Sequence, residues 1–218
     1  MTIRAVAFDL DYTLAIPERD RQTLLDEASE AVDGPCLSRE AYLDAHRRNL
    51  TNRTREPIFD ELLADRETDA SAAALADTYR EAITDALVPV SGAEELVREL
   101  REEYRVGLLT DGPVRAQQAK VDALGWADLF DAVVITGSLD AGKPDARAFQ
   151  AELDALGTTA EETIYVGDSA ELDIAGARAA GLRAIHVLDD GAASPEADAT
   201  IERDVLAERL PAVVAGFN

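Results

Sequence analysis

The stretch Ile3–Leu14, with the sequence IRAVAFDLDYTL, runs from an apolar segment directly into two aspartates, Asp9 and Asp11. Its first half, Ile3–Phe8, is short and mainly apolar, which is typical of a strand buried within a parallel sheet. Because ligands bind beyond the carboxyl ends of the strands in open α/β sheets, we expect the two carboxylates to converge on one site. An Asp-rich turn that only closes the strand is the alternative interpretation.

Apolar runs of the same kind recur downstream and alternate with helical patterns. They are Val106–Leu109, Ala132–Ile135, Thr163–Val166 and Ala184–Leu188. Ser91 and Glu94 are spaced as a capping box for one helix, and Pro113 suits the first position of another. The Ala-rich stretch Ala170–Ala180 predicts a further helix. This alternation predicts an α/β fold with a doubly wound parallel sheet.

Residues 15–89 interrupt the alternation. They contain no strand-like run and three helical patterns, one from Ser38 to Leu50, one that begins at Pro57, and one over Ala70–Leu87. We therefore predict an all-helical insertion, residues 15–89, that covers a core formed by residues 1–14 and 90–218. Near the end of the chain we expect a short edge element at Ala199–Ile201 and a terminal helix.

A second acidic motif follows the run Thr163–Val166. Asp168 stands at the end of that predicted strand, and Asp173 lies in the first turn of the next helix. A helix N-cap would explain such a pair without any function. Together with Asp9 and Asp11, however, these residues would form an oxygen-rich cage of the kind that Mg²⁺ prefers.

Two further motifs favour an anionic ligand. The run Val106–Leu109 ends in Thr110, Asp111 and a glycine, so that a hydroxyl and the free N–H groups of a helix start lie together. Lys143 stands at a loop-to-helix junction, where its compact ammonium can neutralise a phosphate. A capped turn and a solvated surface lysine are the corresponding structural alternatives.

The composition is strongly acidic. The chain has 44 acidic and 21 basic side chains, a net charge of −23, and Lys120 is the only lysine besides Lys143. The negative charges of such a surface repel one another unless salt screens them. The composition therefore predicts adaptation to a cytoplasm rich in salt. The alternative interpretation is an ordinary acidic protein. A nucleic-acid partner is not expected, because phosphate backbones need a basic face.

Membrane and disulfide chemistry are not expected either. No apolar stretch reaches 18 residues, and the first residues lack the pattern of a signal peptide, so we expect a soluble cytoplasmic protein. The single cysteine, Cys36, provides neither an internal disulfide nor a cysteine cluster for zinc.

In their order and at their strand ends, these motifs together resemble the haloacid dehalogenase-like superfamily. The resemblance covers the whole core and places the insertion where that family has its helical C1 cap. It implies a Rossmann-like sheet with strand order 5-4-1-2-3, a Mg²⁺ ion and a covalent aspartyl intermediate.

The resemblance also implies roles for the acidic residues. Asp9 matches the nucleophile, and Asp11 matches the general acid and base. Asp9, the backbone carbonyl of Asp11 and the carboxylate of Asp168 would hold Mg²⁺. Asp173 would act through a metal-bound water or would orient the site.

The phosphate-binding positions carry one departure from the family pattern. Thr110 and Lys143 match residues that hold the phosphoryl oxygens. Asp111 stands in the phosphate-binding turn where the family often has Asn, and it would repel a phosphate unless it points away or bonds to the backbone. Tyr12 occupies a position where a small or polar residue is common, and it is expected to narrow the entrance.

Substrate selection is expected to involve the insertion. The stretch His46–Arg55 has four arginines and no acid, and one hypothesis is that Arg47 and Arg53 contact an acidic group of the substrate. A solvated helix face is the alternative. The resemblance implies Mg²⁺-dependent hydrolysis of a small phosphorylated metabolite by a monomer or homodimer. A phosphomutase, a dehalogenase and a non-catalytic Mg²⁺ or phosphate sensor remain alternatives, although dehalogenases lack the acid at the position of Asp11.

Overall fold

A parallel sheet with helices on both faces forms the centre of the computed structural model, which describes residues 2–218. Its described strands are β1 (Ala5–Phe8), β2 (Ala15–Pro17), β3 (Leu87–Pro89), β4 (Arg105–Thr110), β5 (Ala132–Ile135), β6 (Thr163–Gly167), β7 (Arg183–Leu188) and β8 (Ala199–Glu202). The described α-helices are α1 (Arg21–Glu30), α2 (Arg39–Arg48), α3 (Glu56–Leu63), α4 (Ala72–Ala86), α5 (Ala93–Leu100), α6 (Val114–Ala123), α7 (Ala146–Leu156), α8 (Gly176–Ala179) and α9 (Leu206–Ala215).

The strand order of the main sheet is β5-β4-β1-β6-β7-β8, and every neighbouring pair is parallel. The predicted order with the first strand in the middle is therefore confirmed. The expected edge element near Ala199–Ile201 is β8, which extends the sheet beyond β7. Because β1 lies between β4 and β6, residues that follow these strands meet at one edge of the sheet.

Both faces of β1 are buried. Val6 and Phe8 belong to the hydrophobic cluster that includes α5 and α9, whereas Ala5 and Ala7 pack with Phe149 of α7 on the opposite face. The alternating direction of side chains along a strand produces this division. Burial on both faces explains why this strand is apolar almost throughout.

The insertion consists of α1–α4, which we call the cap. It has its own buried cluster, at whose centre the rings of Tyr42 and Tyr79 lie edge to face with centroids 4.9 Å apart, and Phe59 packs against both. The expectation of no strand in this region is wrong, because β2 and β3 pair antiparallel at its two ends. Each strand has only three residues, which is too short to show a periodic pattern in the sequence.

Three local predictions differ from the structure. Gly92, at φ +74°, precedes α5, and no capping side chain contacts that helix start, so the predicted box from Ser91 does not form. Pro113 lies just outside α6 and not at its first position. The predicted Ala-rich helix begins as a π-helical turn, Ala170–Ala175. The Asp173 side chain lies near the N-terminal end of this turn.

Candidate active site

The sheet edge brings together the predicted strand-end residues. Phe8 pairs with Leu108 of β4 and Val166 of β6, and the Asp9 N–H donates a 2.9 Å hydrogen bond to the Val166 carbonyl. Thr110, the last residue of β4, and Asp168, directly after β6, therefore flank Asp9. The register of three neighbouring strands thus fixes the site.

Three carboxylates meet at this edge. Asp9, Asp168 and Asp173 can each offer one oxygen within 4.8 Å of the others. Burial and the neighbouring carboxylates raise the pKa of Asp9, and burial together with Asp173 raises the pKa of Asp168 to about 7. Close carboxylates with little water remain ionised together only if a cation compensates them. This donor set of hard oxygens fits Mg²⁺.

Lys143 supplies one positive charge to this group. Its Nζ lies 2.7 Å from Asp9 Oδ1, 2.7 Å from Asp173 Oδ1 and 3.0 Å from the Tyr165 hydroxyl. Burial disfavours the ammonium, but Asp173 and Asp9 outweigh this effect and raise the pKa of Lys143 well above its usual range. Lys143 is therefore a fixed cation beside Asp9.

Asp173 is held from two sides. Its Oδ1 accepts from Lys143, and its Oδ2 accepts a 2.9 Å bond from the Ser169 N–H in the π-helical turn. A Cβ at Gly167 would lie 2.5 Å from Asp173 Cγ, so only glycine lets the strand pass this close. Thr13 adds a 3.4 Å contact to Asp168 Oδ1.

The position of Asp111 resolves its departure from the family pattern. Its Oδ1 accepts a 3.1 Å bond from the backbone N–H of Lys143, and its carbonyl accepts from Gln117 Nε2. Burial also raises the pKa of Asp111. Thr110 Oγ1 and Asp111 Oδ2 are both buried without a hydrogen-bond partner. Asp111 thus joins two loops, and the hydroxyl of Thr110 remains available to a ligand.

Asp11 lies in a different environment from Asp9. Both of its carboxylate oxygens are 2.6 Å from Lys120 Nζ, and Oδ2 accepts a 3.2 Å bond from Gln117. Burial acts to raise the pKa of Asp11, but the Lys120 ammonium prevails and lowers it to about 2. Sequence reasoning did not assign Lys120 or Gln117, although their spacing of three residues places both on one face of α6.

Of the three residues predicted to contact the substrate or narrow the entrance, only Tyr12 lies beside the carboxylates of the site. Arg47 is exposed and pairs with Asp44 at 2.8 Å, and the side chain of Arg53 is exposed, so the structure does not bring either to the carboxylates. Arg47 lies on the exposed face of α2, and Arg53 lies in the loop between α2 and α3. Tyr12, with φ +63°, does line the small space beside Asp11, and its carbonyl accepts a 2.7 Å bond from Arg203 Nε.

The cap lies close against α6. The Asn52 carbonyl accepts a 3.1 Å bond from the Val114 N–H, and the Arg53 carbonyl accepts a 2.9 Å bond from the Arg115 N–H. Arg115 also pairs with Asp77 of α4 at 3.1 Å. The loop carbonyls thus satisfy N–H groups that a helix start leaves free.

The space beside Asp11 is small in this arrangement. The cavity beside Asp11 has a volume of about 10 Å³, which is room for about one water molecule. The cavity beside Asp11 is therefore too small for a phosphorylated metabolite in this arrangement. Within residues 2–218, none of the helices combines the length and the apolar character needed to cross a bilayer.

Comparisons with known proteins show which family this chain resembles. The family model of haloacid dehalogenase-like hydrolases matches residues 3–181. A phosphoserine phosphatase of Thermus thermophilus is 35% identical over 63% of this chain and 68% of its own length. A ribulose-1,5-bisphosphate 5-phosphatase of Halopiger xanaduensis is 33% identical over 82% of this chain and 69% of its own length.

A solved structure has the same fold over the whole chain. The putative hydrolase YfnB of Bacillus subtilis, described as bound to magnesium, superposes with a TM-score of 0.73 at 22% identity. The superposition covers 99% of this chain and all of that one.

Proposed function

Because this chain belongs to the haloacid dehalogenase-like hydrolase family, we propose that it is a Mg²⁺-dependent phosphatase of small phosphomonoesters that works through an aspartyl phosphate. The curated relatives described above are phosphatases. The observation that carries the proposal is that Asp9 and Asp11, two residues apart, are held by different lysines. Their different partners suit two different chemical roles.

Asp9 is the proposed nucleophile. Lys143 holds one of its oxygens, and the other attacks phosphorus in line. The bond from phosphorus to the ester oxygen breaks as the bond to Asp9 forms, and the alcohol leaves with a proton. Water then attacks the aspartyl phosphate, which releases inorganic phosphate and restores the Asp9 carboxylate.

Asp11 is the proposed acid and base. In the second step its ionised carboxylate takes the proton from the attacking water. In the first step it passes a proton to the leaving alcohol, and the nearest proton lies on Lys120 Nζ, 2.6 Å away. A dehalogenase needs no such group beside the nucleophile, so Asp11 favours phosphoryl transfer.

Asp9, Asp168 and the backbone carbonyl of Asp11 would hold Mg²⁺, with Asp173 as a supporting group. The ion would supply positive charge to the phosphoryl oxygens. Thr110 Oγ1 and Lys143 Nζ would bind the same oxygens and orient the phosphorus towards Asp9. The relatives' names support substrates such as phosphoserine and ribulose 1,5-bisphosphate, and each of these compounds carries a second acidic group.

Residues 15–89 are the proposed cap domain, and residues 1–14 and 90–218 form the catalytic core. The separate hydrophobic cluster of the cap and the small space beside Asp11 support this division. Opening would admit the substrate, and closing would exclude water during phosphoryl transfer. We also propose that the charge of −23 adapts the fold to concentrated salt.

The test measures phosphate release from a panel of monoesters in molar KCl with Mg²⁺. We expect wild-type turnover that is lost with EDTA and in Asp9→Asn, whereas Asp154→Asn, which alters an exposed residue of α7, serves as the matched control. Turnover in Asp9→Asn would refute the covalent mechanism. Absence of turnover in the folded wild type would refute the phosphatase, and return of the phosphoryl group to a second hydroxyl would indicate a mutase.

A further inference from the structure

Within residues 2–218, the side chain of one buried arginine of the cap makes no hydrogen bond or ion pair. Arg55, directly before α3, is 4% exposed, and its Nε and Nη1 are buried without a hydrogen-bond partner. Removing a charge from water without giving it a partner is strongly unfavourable. Such a group in a native structure therefore needs an explanation, and a ligand that arrives later is one.

Other orphaned polar atoms surround this guanidinium. The Arg55 Cζ lies 5.3 Å from the centre of the Tyr79 ring, and the hydroxyls of Tyr79 and Tyr42 are both buried without a partner. His46, stacked on Tyr42 at 5.8 Å, has a buried Nδ1 that is likewise unpaired. Four side chains from three helices or their ends thus present unused hydrogen-bonding groups in one place.

The same place is electropositive in an otherwise acidic chain. The Arg21 Cζ lies 5.8 Å from the centre of the Tyr42 ring. Burial, followed by the nearby charges of Arg55, Arg21 and Lys120, lowers the pKa of His46 to about 3. His46 is therefore neutral, and the cations near it are Arg55, Arg21 and Lys120, of which Lys120 is paired with Asp11.

We propose that Arg55 and Arg21, with the hydroxyl of Tyr79, bind a second anionic group of the substrate, a carboxylate or a phosphate. The inference rests on the proposed function, because it places this group on the cap side of Asp11 while the scissile phosphate sits at Asp9. Asp11, Arg21 and Tyr79 line one small cavity, and Arg55, which lies against the Tyr79 ring, lines a second one.

The chemistry of the cluster selects the class of ligand. A guanidinium offers paired N–H donors in a planar fork, which matches the two oxygens of a carboxylate or phosphate. A neutral sugar hydroxyl would leave the charge of Arg55 uncompensated. Substrates with an acidic group at the end remote from the ester are therefore favoured over neutral alkyl or sugar phosphates.

Matched phosphonates test the subsite through binding alone, because their C–P bond is not hydrolysed. The series X–(CH₂)ₙ–PO₃, with two to four methylenes and X as methyl, carboxylate or phosphonate, would be titrated calorimetrically in molar KCl with Mg²⁺. We expect wild type to bind the best carboxylate or bisphosphonate about 10-fold or more tightly than its methyl analogue. The two anionic arms show which group the subsite takes.

Variants then locate the effect. In Arg55→Met the preference should fall to about one, whereas Arg39→Met, which removes an exposed cap arginine, should retain it. Arg55→Lys, which keeps the charge but loses the fork, should lie between them. Circular dichroism confirms folding, and Arg55→Lys carries the comparison if Arg55→Met does not fold.

The outcomes separate the two proposals. Equal binding of all members by wild type, or a preference that survives in both Arg55 variants, would overturn the subsite. A preference lost in these variants supports it even if wild type hydrolyses no corresponding phosphate ester. That combination would refute the proposed phosphatase activity alone.

Discussion

Glu152 of α7 provides a pH-dependent test of the fold. It is 2% exposed, and neither carboxylate oxygen has a hydrogen-bond partner. A Cβ built on Gly107 of β4 would lie only 1.8 Å from Glu152 Oε1, so the carboxyl group lies directly against the strand. Burial is the cause that raises the pKa of Glu152 to about 8.

The raised pKa predicts the sign and the size of the effect. Below pH 4.5 the carboxyl is protonated in both states, and between 4.5 and 8 only the folded state retains the proton. The free energy of unfolding should therefore fall by about 1.4 kcal/mol per pH unit in that window. From pH 5.5 to 7.5 the loss is about 3 kcal/mol. Glu152→Gln has the same shape but does not ionise, so it should lack this loss.

The assay is urea unfolding at pH 5.5 and 7.5 in constant molar KCl. Wild type and Asp154→Asn, which removes an exposed acid two residues away, should share the pH dependence that Glu152→Gln lacks. If all three proteins changed equally between these pH values, the carboxyl of Glu152 would not be held protonated and the reasoning would be refuted.

Three further predictions concern the site, the cap and the surface. Gly167→Ala should displace Asp173 and weaken Mg²⁺ binding about 10-fold or more, as measured by calorimetry. Unchanged affinity would contradict the close contact between the strand at Gly167 and Asp173. Gly137→Ala would place a Cβ 2.6 Å from the Asn52 and Gly112 carbonyls, so the cap should separate from α6. Faster proteolysis within the cap would show this, and a cleavage rate equal to that of wild type would argue against it. Dialysis to low salt should lower the melting temperature because repulsion among the acids is no longer screened. A sharp melt at the same temperature in dilute buffer would count against that prediction.

The sequence allowed the strand ends to be predicted because apolar runs there lead directly into polar residues. Asp9, Thr110 and Asp168 each follow or end such a run, and strand order then determines that they meet. Lys120 could not be assigned in this way. Its contact with Asp11 depends on how α6 packs against the loop after β1, and local patterns do not record that packing.

Local sequence patterns also failed to predict which arginine of the cap is buried. An arginine-rich stretch before α3 was evident in the sequence, but the choice among its arginines depends on which side chain faces the core. Arg47 and Arg53 are exposed, whereas Arg55 is buried beside Tyr79. Helical periodicity could not predict which of these arginines is buried, because Arg53 and Arg55 lie in the loop between two helices.

The antiparallel pair β2–β3 has a consequence for how such a protein diverges. Ala15 lies opposite Pro89, so the chain leaves the catalytic sheet and returns to it at neighbouring points. A segment with adjoining ends can lengthen, shorten or be exchanged for another without altering the path of the remaining strands. The bond-breaking groups and the groups proposed to select the organic part of the substrate are thus encoded in separable stretches of the gene, and each stretch can vary under its own selection.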